Sequence, residues 1–345
     1  MTFLIRKLLT FLSRFGIDPF ILIMFAAIIL AWLYPDPGSG KGTFSLSELA
    51  NWGVSVIFFF YGLRLNWQKI YEGLSNYRLH IVVQLSTFLL FPLIVLPLVL
   101  LFGRDPQTGA FSYLWLGIFF LAALPSTVSS SVVMVNIARG NLPAAIFNAS
   151  ISSLLGVFFT PLWMSVFITA QSGGASLYHV IVQLIVQVIV PIVAGIALHG
   201  PLGRFSEKYD KLLRKFDQGV IILIVYTAFC HSFKENMFAE LTPGALLALS
   251  VGMVALFFTA YSIIGVVCRL LHFNREDTIT TLFCGSKKSL VHGTVMSQVI
   301  LTNPSLAGIL ILPTMIYHAL QLIIVSIIAQ RFQKQSEPRL DRQKS

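Results

Sequence analysis

The chain has 345 residues, of which 56% are hydrophobic and only 11% charged, with a mean hydropathy of +0.81 and a net charge of +10. Soluble domains carry about a quarter charged residues, so this composition excludes a soluble enzyme and points to a polytopic membrane protein. The basic residues lie between apolar runs and not on one amphipathic face, which excludes a nucleic-acid surface as their purpose.

Arg6, Lys7 and Arg14 precede an apolar run from Phe20 to Tyr34 with no small-x-small cleavage site after it, so this run is expected to be a retained span. Apolar runs of near 20 residues predict ten spans. Five fall in the first half, at 18–34, 46–63, 79–102, 112–138 and 143–169. Five fall in the second, at 178–199, 218–238, 244–271, 278–301 and 305–330. The connections are short except GPLGRFSEKYDKLLRKFD between the sixth and seventh spans, which is amphipathic and expected at the cytoplasmic surface. The chain thus divides into 1–172 and 173–332, with a polar tail over 333–345 expected to be disordered. Cys230, Cys268 and Cys284 sit in or beside apolar segments without paired spacing and read as packing residues. Trp32, Trp52, Trp67, Trp163 and most tyrosines read as interfacial anchors. Pro92, Pro97, Pro161, Pro191 and Pro313 read as kinks satisfied by neighbours.

Nineteen of the 24 Lys and Arg residues fall on one side of this topology, and only Lys41, Arg104 and Lys234 on the other. The positive-inside rule then places both termini in the cytoplasm. The remaining two, Lys287 and Lys288, lie side by side near the middle of the ninth span. A cation at the centre of a bilayer helix costs about 2.5–3.5 kcal/mol on insertion scales, so such groups face a protein interior or an aqueous cavity. Gly285, Ser286 and Ser289 bracket the pair, as expected where a helix is interrupted and its freed backbone groups find polar partners. The bland alternative, a short span ending at the interface, conflicts with the uninterrupted LVHGTVMSQVIL that follows.

The first half echoes this pattern: LPSTVSSSVVMVNIARGNLP from Leu124 has a polar interruption, a half-helix, then Asn141 and Pro143, as Asn303 and Pro304 follow in the second half. Five spans per half make the halves insert upside down, the signature of a secondary transporter built from inverted repeats with broken helices. All 14 carboxylates fall in loops, termini or span edges, so something else compensates the lysines. Three alternatives stand. An ammonium occupies the place of a bound cation, donating to Ser126, Thr127, Ser129, Ser130 and Ser131 and to freed carbonyls; or an anionic substrate compensates it, helped by half-helix N-termini; or a lysine carries a proton during transport. On a helix continued from Lys287, Gln298 shares its face, and His292 lies one turn beyond Lys288. Asn148, with Ser150, Ser152 and Ser153 of the fifth span, and Gln84 and Thr87 of the third, are further candidates, against the bland role of interhelical packing.

SSSVVMVNIARGN, SISSLLGVFFTPL and above all FCGSKKSLVHG resemble the bile acid:sodium symporter superfamily, in the branch that contains bacterial proteins and the seventh member of solute carrier family 10. The resemblance spans nearly the whole chain. It implies an all-α fold of ten helices in two inverted five-helix repeats, arranged as panel and core domains, with the fourth and ninth helices broken and crossing. It also implies transport of a small organic solute between the domains and a location in the cell inner (plasma) membrane. The sodium ligands of the bile-acid branch are not reproduced: Phe283 stands at the acidic position, Lys287 and Lys288 replace Gln and Asn, Val132 replaces Asn, and Ala145 and Ala149 replace Ser and Thr, with only Ser131 matching. Sodium coupling is therefore left open, and no metal site or cofactor is expected.

The expected function is secondary transport of a small, anionic organic solute by alternating access, with membrane lipid and that solute as partners. The alternative is a non-transporting membrane regulator or sensor on the same fold. No HExxH, paired helical carboxylates or Cys/His cluster suggests an enzyme. Lys287 is expected to carry a burden at the crossing and Lys288 a similar but lesser one, with the question of which of the two points into it left open.

Overall fold

The computed structural model describes residues 19–40, 45–64, 76–105, 109–172, 182, 185–239, 241–301 and 303–341. These residues form helices and turns, with one isolated β-bridge between Arg104 and Phe111. In chain order the main helices are α1 (Pro19–Leu33), α2 (Leu46–Leu63), α3 (Tyr77–Phe102), α4 (Tyr113–Ala123), α5 (Ser129–Ile137) and α6 (Leu142–Ser172). They continue as α7 (Ile185–Ala197), α8 (His199–Lys208), α9 (Asp210–Lys234), α10 (Pro243–Leu270), α11 (Arg275–Gly285), α12 (Leu290–Ile300) and α13 (Ala307–Asp341). Six of them, α2, α3, α6, α9, α10 and α13, are long and apolar enough to cross a membrane, and a seventh span results if α7 and α8, bent by 93°, count together. The expected spans at 112–138 and 278–301 are each divided, into α4 with α5 and α11 with α12. Arg6, Lys7, Arg14, Lys41 and Trp67, used above for topology, lie outside the described residues.

Local signals set the helix starts. Ser45 accepts from the Glu48 amide to open α2, and Thr242 caps α10 ahead of Pro243. Asn274 caps α11, whose first turn carries Glu276 and Asp277 where acidic groups suit the helix dipole. At the end of the chain α13 runs to Asp341, through the first residues of the expected polar tail. Gln333, Lys334, Gln335, Glu337, Arg339 and Leu340 are good helix formers that extend a helix already nucleated by packing.

The helices pack in two groups. In one, α2 lies against α7 and α9, and α9 also against α1; in the other, α3, α4, α5, α6, α10, α11, α12 and α13 surround the two breaks. Within the first group Gly62 approaches the Ile192 carbonyl, and Gly195 the Phe59 carbonyl, so closely that a Cβ at either would collide with backbone. Close approach at small residues is the usual basis of helix contact in lipid. The second group is joined through polar atoms, and α9 and α2 meet it along α12 and α13.

Candidate functional site, a crossing of two broken helices

The breaks at Leu124–Val128 and Ser286–Ser289 touch through the Ser289 amide, which donates to the Pro125 carbonyl at 2.9 Å. Ser129 to Ser131, expected within the interruption, instead form the first turn of α5, so the unwound stretch is shorter and lies earlier. The end of α4 leaves several carbonyls without helical donors. Each is taken from outside: Ala123 O by Thr160 Oγ1 at 2.9 Å, Pro125 O by Ser289, and Ala122 O and Leu124 O by Lys288 Nζ at 2.7 and 2.8 Å.

The third N–H of the Lys288 ammonium goes to Thr87 O at 2.7 Å. That carbonyl is free because of a π turn over Ser86–Leu90: the Phe91 amide bonds to Ser86 O, and Pro92 has no N–H to offer. The Phe91 ring lies 4.3 Å from Nζ, adding a cation–π contact. Lys288 is 0% exposed, and its three donors are matched by three backbone oxygens. Its own backbone is held by Gln321, which accepts from the amide at 2.9 Å and donates to the carbonyl at 2.8 Å, while Tyr317 Oη donates to Ser286 O at 2.7 Å.

Lys287 is equally buried but faces another way. Its ammonium donates to Ser130 Oγ at 2.7 Å; Ser130 donates to Thr127 Oγ1 at 2.9 Å, and Thr127 and Ser131 share a hydrogen bond at 2.8 Å. No side chain caps the N-terminus of α5 beside it, whereas Ser289 caps α12 by accepting from the His292 amide. Among the described residues neither lysine pairs with a carboxylate. Of the two lysines, Lys288 sits in the oxygen cage and Lys287 meets the serines of α5. Register could not foresee this, because both residues are in the break and follow no helical face.

The other candidates separate. Ser126 donates its amide to Ser152 Oγ at 2.9 Å, and its hydroxyl is buried without a partner. Ser286 returns its hydroxyl to Leu282 O. Ser129 is the first residue of α5, its side chain outside the described set. His292 bonds Ser289 Oγ through Nδ1 at 3.0 Å, stacks on Tyr61 of α2 at 5.2 Å, and leaves Nε2 buried and unpaired. Among the described residues Gln298 makes no hydrogen bond to the crossing; it lies about 12 Å along α12 from the break at 1.5 Å per residue. Projecting α12 back through Lys287 fails because the helix starts only at Leu290. Asn148 belongs to a separate cluster, bonding His80 Nδ1 at 2.8 Å and accepting from Gln84 Nε2 at 3.0 Å beside an open depression of about 330 Å³. Ser150 and Ser153 bond their own helix.

Gln321, Tyr317 and Phe91 were missed, though an uncharged amide in the apolar run 305–330 was a signal for Gln321. Trp163, read as an interfacial anchor, donates Nε1 to Phe88 O at 2.7 Å, replacing the N–H that Pro92 lacks, and Tyr317 is 1% exposed in the core. The sodium ligand set of the bile-acid branch does not fit: Phe283 packs edge-on to Phe332, Ala145 and Ala149 are buried apolar contacts, and Lys288 Nζ holds the carbonyls. No group of three or more His, Cys, Asp or Glu among the described residues could hold a metal.

A multi-pass helical bundle with two interrupted helices in contact at their breaks, and a buried cation there, is a layout that membrane transporters use. The profile of the SBF-like CPA transporter family matches residues 18–334, and the chain belongs to that family, within the bile acid:sodium symporter superfamily. It is 38% identical over 324 residues to an uncharacterized protein of Pseudomonas aeruginosa, covering 94% of this chain and 95% of that one. It is 33% identical over 321 residues to the putative symporter YfeH of Escherichia coli, covering 93% and 94%. Mouse sodium/bile acid cotransporter 7 is 27% identical over 319 residues, covering 92% and 93%.

Proposed function

We propose that this protein is a secondary active transporter that carries a small organic anion by alternating access, α1, α2, α7 and α9 moving against the helices that hold the crossing. Relatives named as a symporter and as cotransporters support the transport role. The observation that carries the anion is the uneven satisfaction of two adjacent ammonium groups. Lys288 is saturated by carbonyls, while Lys287 has one hydroxyl partner beside the uncapped, electropositive end of α5. The anionic group of the solute would accept from Lys287 Nζ and the first amides of α5, with Ser130, Thr127 and Ser131 relaying its hydrogen bonds. The free Nε2 of His292, on the α2 side of α12, would reach a polar atom further along the solute.

Lys288 then serves as a built-in cation, which removes the need for Na⁺ at the crossing. The basic asymmetry supports an inner (plasma) membrane location with both termini cytoplasmic. Flux of candidate carboxylates and phosphates into proteoliposomes, with Na⁺ exchanged for choline at fixed pH and potential, tests the reading. Uptake independent of Na⁺ and lost in Lys287→Met is expected. A steep Na⁺ dependence retained in Lys287→Met would refute it, and a folded protein moving none of these solutes would favour a regulator.

A further inference from the structure

The link between α7 and α9 plays no part in the crossing, yet it is built with three distinct faces. α8 turns 93° from α7, so it runs across the direction of the span that precedes it. His199, Gly203 and Ser206 form its inner face: Gly203 and Ser206 are buried, and His199 Nδ1 donates to Leu63 O at 2.7 Å, tying α8 to the end of α2. Leu198, Leu202, Phe205 and Tyr209 recur at spacings of four, three and four, a stripe roughly 60° wide at about 100° per residue. Their exposures are 41%, 36%, 49% and 37%. Leu212 and Phe216 continue the apolar exposure onto α9.

Beside that stripe stand cations. Arg204 and Lys208 on α8, with Lys211 and Lys215 on the first turns of α9, are all exposed, and none makes an ion pair among the described residues; Lys208 Nζ lies 5.3 Å from the Tyr209 ring centroid. The neighbouring Arg214 is engaged by Asp210 at 2.7 Å. A helix crosswise to a span, with one face on protein, one apolar face uncovered and cations at its flank, matches one environment, the boundary between acyl chains and headgroups. We infer that α8 and the start of α9 form a docking surface for the phosphate headgroups of anionic membrane lipids, the stripe entering the acyl boundary and the four cations meeting the phosphates. An acidic soluble protein would answer the charges and leave the stripe in water, so the lipid is the better complement.

The test uses the full chain in phosphatidylcholine bilayers carrying trace spin-labelled phosphatidylglycerol or phosphatidylcholine. The labelled phosphatidylglycerol should associate about fivefold more strongly, and the preference should fall toward unity in about 0.5 M salt. It should also vanish in the R204Q/K208Q/K211Q/K215Q variant, whose melting in neutral lipid matches the parent. Phe205→Trp reports depth independently: lipids brominated near the headgroup should quench the added fluorescence. An undiminished preference in the four-Gln variant, or added fluorescence in Phe205→Trp that brominated lipid leaves untouched, overturns the proposal. Loss of the preference on adding inorganic phosphate would also overturn it, by assigning the cations to a soluble anion.

Discussion

Lys288 and Asp277 are two buried charges on the same broken span, and neither has a counter-ion in contact among the described residues. The Lys288 ammonium takes three backbone carbonyls; the Asp277 carboxylate takes three asparagine amides, from Asn76 at 2.7 Å, Asn141 at 2.8 Å and Asn274 at 3.0 Å. Those asparagines are already employed, since their side-chain oxygens accept from the first-turn amides of α3, α6 and α11. Asp277 is therefore satisfied by side chains that cap helix N-termini, whereas Lys288 is satisfied by carbonyls left unpaired at the end of α4 and at the π turn of α3. A charge held by caps keeps part of its hydrogen bonding when a neutral group of the same shape replaces it; a charge held by orphaned carbonyls keeps none.

The largest expected effect follows for Lys288. Lys288→Met leaves three buried acceptors unpaired, at about 1–3 kcal/mol each, and should unfold or severely destabilise the purified protein by thermal melting. Lys288→Ala sharpens the point by opening space beside the same oxygens, and its melting temperature should rise in Na⁺ relative to choline while the wild type is indifferent. If Lys288→Met melts like the parent, the ammonium is not what satisfies the crossing. Asp277→Leu should come next, at about 2–3 kcal/mol for three amides losing a charged acceptor, and Asp277→Asn should recover only part of that, because its one amide oxygen still accepts while its NH2 meets an asparagine donor. Equal losses for the two Asp277 variants would contradict the comparison. Lys287→Met should cost the least stability of the charge changes, since it removes one hydroxyl bond and relieves a buried cation. The flux assay should nevertheless lose most of its signal, a split between stability and activity that Lys288 variants cannot show.

The sequence exposes those features that are carried by residue identity. A Lys–Lys pair in an apolar run, flanked by Gly and Ser, marks one break, and the serines after Pro125 mark the other. Each asparagine at Asn76, Asn141 and Asn274 stands directly before a helix and is readable as a cap. Their convergence on Asp277 is tertiary and has no local trace. The division of labour between the lysines was equally hidden, because half-helix ends obey no periodicity and the cage is made of Ala122, Leu124 and Thr87 carbonyls, which any residue would supply. Phe283 and Lys288 were legible as departures from a sodium site, but that Lys288 sits among the carbonyls needed coordinates.

The smallest effect probes how the carbonyls of α3 are shared. Pro92 removes a donor that Phe88 O would take in an α-helix and that Thr87 O would take in a π turn. Trp163 repairs the first vacancy at 2.7 Å, and Lys288 the second at 2.7 Å. Trp163→Phe keeps the aromatic packing beside Phe119 and deletes only the indole donor, so it should cost about 1 kcal/mol. Pro92→Ala restores one N–H, which can serve either carbonyl. In the Trp163→Phe background that N–H should turn to Phe88 O and make the pair of substitutions less damaging than their sum, by roughly 0.5–1 kcal/mol in a double-mutant cycle. Strict additivity would mean that the two carbonyls are not alternatives for one missing donor. The π turn would then be fixed by packing around Phe91, with Lys288 merely settling against a shape already made.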